Sequence, residues 1–173
     1  MEYVLKRILP SGVGAALQKA DKYRELGQPT EAESICRDVL AVDPGNQAAW
    51  RNLGLALSDQ FGALRGGQFA EAERIFARLE DPYARAFYSG LVCERQAKAQ
   101  LTAHTPLHSV RPLFEHALAY YAEAEAIRPP GNDDPILRWN SCVRALQAAQ
   151  GPASAEREDR PEEWESDTVP HQR

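Results

Sequence analysis

Residues 40–54, "LAVDPGNQAAWRNLG", place a helix stop directly before the start of another helix. Pro44 has no N–H to donate and its ring clashes with the preceding turn, and the Gly-Asn that follows suits a tight reversal. Trp50, Leu53 and Gly54 then share one helical stripe, on which the glycine leaves room for a neighbouring backbone. The stretch predicts two consecutive helices, the second of which packs closely against a hairpin partner.

The same arrangement recurs along the chain. Three segments carry an apolar or small residue at offsets 0, 3, 4 and 7, the stripe of an amphipathic helix. The positions are Ala32, Ile35, Cys36 and Val39, then Ala72, Ile75, Phe76 and Leu79, then Ala117, Tyr120, Tyr121 and Ala124. A helix with a small inner residue precedes each segment, at Ala20, Gly54 and Gly90. The repetition predicts three helix hairpins.

Helix start and stop signals divide the chain into elements. Thr30 with Glu33 forms a capping-box pattern, and Asp81 and Asp134 each precede a proline at a helix start. The predicted helices cover residues 13–26, 29–42, 46–60, 68–79, 82–101, 110–127 and 134–149. The last helix has no hairpin partner and is expected to cap the array, with a buried face formed by Trp139, Cys142, Val143 and Leu146.

The second and third hairpins have enlarged tips, at residues 61–66 and 97–111. Added residues at a tip are tolerated because the cost of closing a loop grows only logarithmically with its length. In the third tip, Leu101, Leu107 and Val110 are expected either to cover the tip itself or to make a contact between two copies of the chain.

The two ends differ from the repetitive part. Residues 1–12 form an N-terminal extension in which Val4, Leu5, Ile8 and Leu9 would share one face of a short helix. Residues 13–149 form the helical domain. Residues 150–173 are acidic, have no periodic apolar face and are expected to be a disordered tail. Trp164 in that tail is either a short binding motif or a residue without a role.

Composition excludes several classes of function. The formal net charge is −5 over 173 residues, so the chain has no basic footprint for nucleic acid or an anionic membrane. No signal peptide or membrane-spanning segment is evident, and the three cysteines form no CxxC pair, which favours a cytoplasmic, reducing location. The cysteines are Cys36, Cys93 and Cys142.

The chain resembles the tetratricopeptide repeat family, as a small bacterial-type member. The spacing from Ala20 to Gly54 is 34 residues, the length of one such repeat. Trp50, Leu53 and Gly54 match the start of the family pattern, and Ala72 and Phe76 match its second helix. The resemblance implies an all-α fold, a right-handed superhelix of about three antiparallel helix hairpins with a C-terminal capping helix.

The resemblance also implies a concave groove lined by the first helix of each hairpin. The residues that would line it are Leu17, Asp21, Arg51, Asn52, Leu55, Phe87, Tyr88, Leu91 and Arg95. Aromatic and arginine side chains often supply most of the binding energy at interfaces. In some family members, a clamp of Lys, Asn and Arg binds the terminal carboxylate of a chaperone. Of that clamp only Asn52 is present, so this specificity is not expected.

Other chemistry is weakly indicated. His104 and His108 have metal-ligand spacing, but Pro106 interrupts the helix that would align them, and no further ligand joins them. The cysteines lie on predicted inner faces without a nearby base, as expected for buried structural thiols. The sequence "GALRGG" lacks the strand and the Gly-Lys-Thr/Ser ending of a phosphate-binding loop.

The sequence therefore predicts a non-enzymatic adaptor without cofactor or metal. Its groove would bind a peptide segment or helix of a partner protein, and the chain would be a monomer or weak homodimer. Two alternatives stay open: a small secretion-type chaperone that holds an unfolded client, and a metal-dependent regulator or enzyme that uses the histidine-containing loop.

Overall fold

The computed structural model describes residues 3–62 and 67–151. These residues form seven α-helices and no strand, which confirms the all-α prediction. Each helix ends within three residues of its predicted position. The helices are α1 (Val13–Glu25), α2 (Pro29–Val42), α3 (Gln47–Ser58), α4 (Gly67–Phe76), α5 (Pro82–Thr102), α6 (Leu107–Ala126) and α7 (Asp134–Gln150). Residues 63–66 of the second tip and the tail with Trp164 lie outside the described residues.

Polar side chains cap the N-termini of α3 and α5. The Asn46 side chain accepts a hydrogen bond from the backbone N–H of Ala49 at 2.9 Å, so it caps α3. The Asp81 carboxylate accepts from two backbone N–H groups of the first turn of α5, each at 3.2 Å. The Trp50 indole donates to the carbonyl of Pro44 at 2.9 Å, which locks the turn to the helix that follows.

One predicted cap is wrong. α2 begins at Pro29, so Thr30 lies inside the helix instead of capping it, and no side chain caps this end. Proline at the first position needs no N–H partner and starts the helix by its fixed φ. α7 includes Asp134 as its first residue, and the Asn132 side chain accepts from the Asp134 N–H at 3.0 Å.

The short helix considered for residues 1–12 is not formed over residues 3–9, which lie outside regular structure. A short 3-10 turn spans Pro10–Gly12. Tyr3, Val4, Leu5 and Leu9 are all more than 70% exposed. A helix this short is marginal in water unless it packs on something. Their exposure shows that these side chains find little to pack against.

Each helix packs on its neighbours in sequence. The pairs α1 with α2, α3 with α4 and α5 with α6 form three hairpins, of which α5 with α6 has the largest contact. The helices α1, α3, α5 and α7 also contact one another in succession, and α7 packs on α6. Each hairpin therefore contacts the next along the chain.

The two glycines predicted on inner faces allow close packing within their hairpins. A Cβ at Gly54 would lie 2.6 Å from the ring of Phe76, and a Cβ at Gly90 would lie 2.8 Å from the ring of Tyr121. Both aromatic side chains are fully buried. The same steric relation thus occurs in the second and third hairpins. In the first hairpin, buried Ala20 occupies the corresponding place.

The enlarged third tip is largely helical. α5 extends to Thr102 and α6 begins at Leu107, which leaves a four-residue turn where a longer loop is predicted. Val110 is fully buried, and Leu101 packs partly buried on the core. These side chains therefore cover the tip itself.

Candidate functional site

Five of the nine predicted groove residues line one open cleft of about 540 Å³ between α3, α5 and α7. We call it the α3–α5–α7 cleft. Helix α7 forms its other wall, and the lining residues are Leu55, Phe87, Tyr88, Leu91, Arg95, Asp134, Leu137, Arg138 and Ser141. The two leucines of the floor, Leu55 and Leu91, are 9% and 3% exposed.

The wall formed by α7 is a feature that the sequence analysis missed. It predicted a buried face containing Trp139, but Trp139 is 37% exposed. The face that packs inward carries Pro135 and Cys142, both buried. Leu137 is 62% exposed although it lines the cleft, so its side chain is available to a ligand. The repeat pattern alone left the rotation of this unpaired helix open.

The aromatic wall of the cleft is held by ring contacts. Phe87 stacks on Tyr83 with ring centroids 5.8 Å apart, and its ring lies 5.9 Å from that of Tyr121. Tyr88 stacks on Phe76 of α4 with centroids 5.3 Å apart. Such pairs contribute about 0.5–1.5 kcal/mol beyond simple burial. Phe87 and Tyr88 are therefore fixed in position and partly exposed at the cleft.

Arg95 is bound to other helices of the protein. Its Nη1 lies 2.6 Å from Oδ1 of Asp59 and donates to the hydroxyl of Ser58 at 2.5 Å. Arg24 of α1 binds the other oxygen of Asp59 at 2.8 Å. Burial lowers the pKa of Arg95, and the nearby Asp59 carboxylate opposes that change. One carboxylate thus joins α1, the end of α3 and α5.

The remaining four predicted residues do not line this cleft, and one of them, Asn52, is buried. Asp21 lines a separate depression with Arg24 and Asp59. Arg51 is exposed in another depression, beside Glu80 and Asp81 at the start of α5. The last two predicted residues line none of these three hollows: Leu17 is half-buried and Asn52 is 2% exposed.

A buried carboxylate, Glu94, holds α7 in place, and the sequence analysis did not identify it. Glu94 is 1% exposed, accepts a hydrogen bond from the hydroxyl of Tyr121 at 2.6 Å and pairs with Lys98 at 2.5 Å. Lys98 also donates to Ser141 of α7 at 2.8 Å, and Arg138 lies 3.6 Å from Glu94. Burial raises the pKa of Tyr121, and the Glu94 charge raises it further. The one sequence signal for this cluster is the i,i+4 spacing of Glu94 and Lys98, which suits an ion pair on a helix.

The described residues offer little for metal or thiol chemistry. They contain no group of three or more His, Cys, Asp and Glu side chains able to hold a metal ion. His104 and His108 are exposed; His104 lies in the turn between α5 and α6, and His108 lies in α6. Burial raises the pKa of each of the three cysteines to about 12, so the thiols stay protonated at neutral pH. None of the helices in the described ranges has the length and hydropathy needed to cross a bilayer.

Comparison with models of known protein families gives no match, and no curated protein matches the chain.

Proposed function

We propose that the chain is a tetratricopeptide-type repeat protein without catalytic activity, and that its α3–α5–α7 cleft binds a peptide segment or helix of a partner protein. The observation that carries the proposal is the cleft itself, which collects Leu55, Phe87, Tyr88, Leu91 and Arg95 from two successive hairpins. Successive contacts between α1, α3, α5 and α7 support a superhelical array, because stacked hairpins place their first helices side by side.

The lining of the cleft indicates what a ligand should present. Phe87, Leu91 and Leu137 form an apolar surface that suits one aliphatic or aromatic side chain. Arg138, whose side chain is 43% exposed, supplies a positive charge beside that surface, since its ion pair with Glu94 is long, 3.6 Å, and Glu94 is also paired with Lys98. Arg95 contributes less charge to a ligand because Asp59 already neutralises it. A segment with an apolar residue next to a carboxylate therefore fits best.

The test compares two leucines of equal exposure. Leu137 lines the cleft and is 62% exposed, whereas Leu26, at the end of α1, is 59% exposed and lies outside the cleft. We expect a partner captured from cells by the wild type to be lost with Leu137→Asp and retained with Leu26→Asp. Binding is then measured with the purified partner by calorimetry, and circular dichroism confirms that both variants stay folded.

A purified partner that binds Leu137→Asp as tightly as the wild type would refute the proposal. Equal loss of binding in both variants would refute it too, because the effect would then lack any connection with the cleft.

A further inference from the structure

A second cleft lies on another side of the protein, between the first and second hairpins. It has a volume of about 730 Å³, and its apolar floor comprises Leu40, Trp50, Leu53 and Ile75, from α2, α3 and α4. We call it the Trp50 cleft. None of its lining residues belongs to the α3–α5–α7 cleft.

The rim of the Trp50 cleft is positively charged. Arg37, Arg74 and Arg78 line it together with one acid, Glu71. Glu71 is paired with Arg37 at 2.9 Å, so its charge is already compensated. Among the described residues, neither Arg74 nor Arg78 forms an ion pair; Arg78 lies over the Trp50 ring, 5.0 Å from its centroid. The cleft therefore offers two uncompensated cations above an apolar floor.

The chain itself contains a segment of complementary chemistry. Residues 161–167 read "PEEWESD", with four acids, no base and one large aromatic side chain. Residues 152–173 together hold seven acids and three arginines, so they account for most of the formal net charge of −5. A tryptophan can bury about 150–250 Å² of surface, and its acidic neighbours would meet the arginines of the rim.

We propose that the Trp50 cleft binds the chain's own segment 161–167, with Trp164 on the apolar floor and its flanking carboxylates against Arg74 and Arg78. Trp164 lies 13 positions after Gly151, and an extended chain of that length reaches about 45 Å. For a compact domain of this size the radius of gyration is about 15 Å, a third of that reach. The covalent link supplies an effective concentration of about a millimolar, enough to populate a weak contact.

The experiment uses the full chain labelled with ¹⁵N and follows the indole N–H signals of its three tryptophans, assigned with Trp→Phe variants. We expect the Trp164 signal to differ from that of a synthetic peptide of residues 157–170. Arg74→Glu should move the signal to the peptide position, and so should high salt, which screens exposed charge pairs. Arg51→Glu is the matched control: the charge change is the same, but the residue lies in a different depression, and the signal should not move.

The peptide gives a second measurement. A full chain with Trp164→Ala has an empty cleft and should bind the peptide, and adding Arg74→Glu should weaken that binding roughly fivefold, as loss of an exposed ion pair does. A wild-type Trp164 signal at the peptide position would overturn the proposal, as would release by Arg51→Glu. If the Trp164 signal moves on dilution of the protein, the segment binds the Trp50 cleft of a second copy, and binding within one chain is overturned. These outcomes do not depend on whether the α3–α5–α7 cleft binds a partner.

Discussion

The replacement Gly54→Ala tests the packing of the second hairpin most directly. The added Cβ would lie 2.6 Å from two carbons of the Phe76 ring, about 1 Å closer than an ordinary carbon contact. Phe76 is fully buried and stacks on Tyr88, so its ring cannot move away freely. Overpacking of this kind costs about 1–3 kcal/mol. Alanine recovers about 1 kcal/mol because it favours the helix more than glycine does. We therefore expect a net loss of up to about 2 kcal/mol.

Gly14→Ala is the matched control. Gly14 lies in α1, and a Cβ there would meet no atom within 4 Å. Only the helix preference acts at this position, so the change should stabilise the protein by up to about 1 kcal/mol. Urea unfolding followed by far-UV circular dichroism measures both variants. The same substitution should thus have opposite signs at the two sites. A Gly54→Ala protein stabilised as much as the Gly14→Ala protein would refute the close approach of α3 and α4.

Three further predictions use the same urea titration. Asp81→Ala removes the cap of α5 and should cost about 1 kcal/mol; no change in the unfolding midpoint would contradict this role. Tyr121→Phe removes the hydrogen bond to buried Glu94 and should cost about 2 kcal/mol, whereas the control Tyr120→Phe, at an exposed ring, should cost little. Stability should fall as the pH rises from about 9 to 12, because the unfolded thiols lose their protons over this range while the folded thiols keep them. A thiol reagent at pH 8 should react with these cysteines only on unfolding. A fast reaction in the folded state would contradict the burial of Cys36, Cys93 and Cys142.

The helices were predictable from sequence because their determinants are local. A chain reversal such as that at Pro44 or a cap such as Asp81 acts within one or two helical turns, and so does the spacing of apolar residues. The close contacts of Gly54 and Gly90 followed from the repetition, since a small residue recurs before each apolar stripe. Thr30 was misassigned because the proline before it starts the helix without a side-chain cap.

The site was predictable only in part. Leu55, Phe87 and Leu91 hold positions in the repeat that face one side, and all three line one cleft. The contribution of α7, including Leu137, depends on how an unpaired helix rotates against its neighbours. The pairing of Arg95 with Asp59 joins residues 36 positions apart, which no local pattern encodes. Long-range polar contacts of this kind depend on the packing of the whole array.

The shared Asp59 carboxylate has a consequence for how the protein comes apart. Arrays of helix hairpins tend to fray from either end, because each unit depends only on its neighbours. Arg24 near one end and Arg95 towards the other both bind Asp59, so opening of the first hairpin also removes a partner from the charge that steadies the third. One carboxylate therefore couples the first and third hairpins, and α1 and α5 should lose their protection against hydrogen exchange closer together than two unlinked helices would.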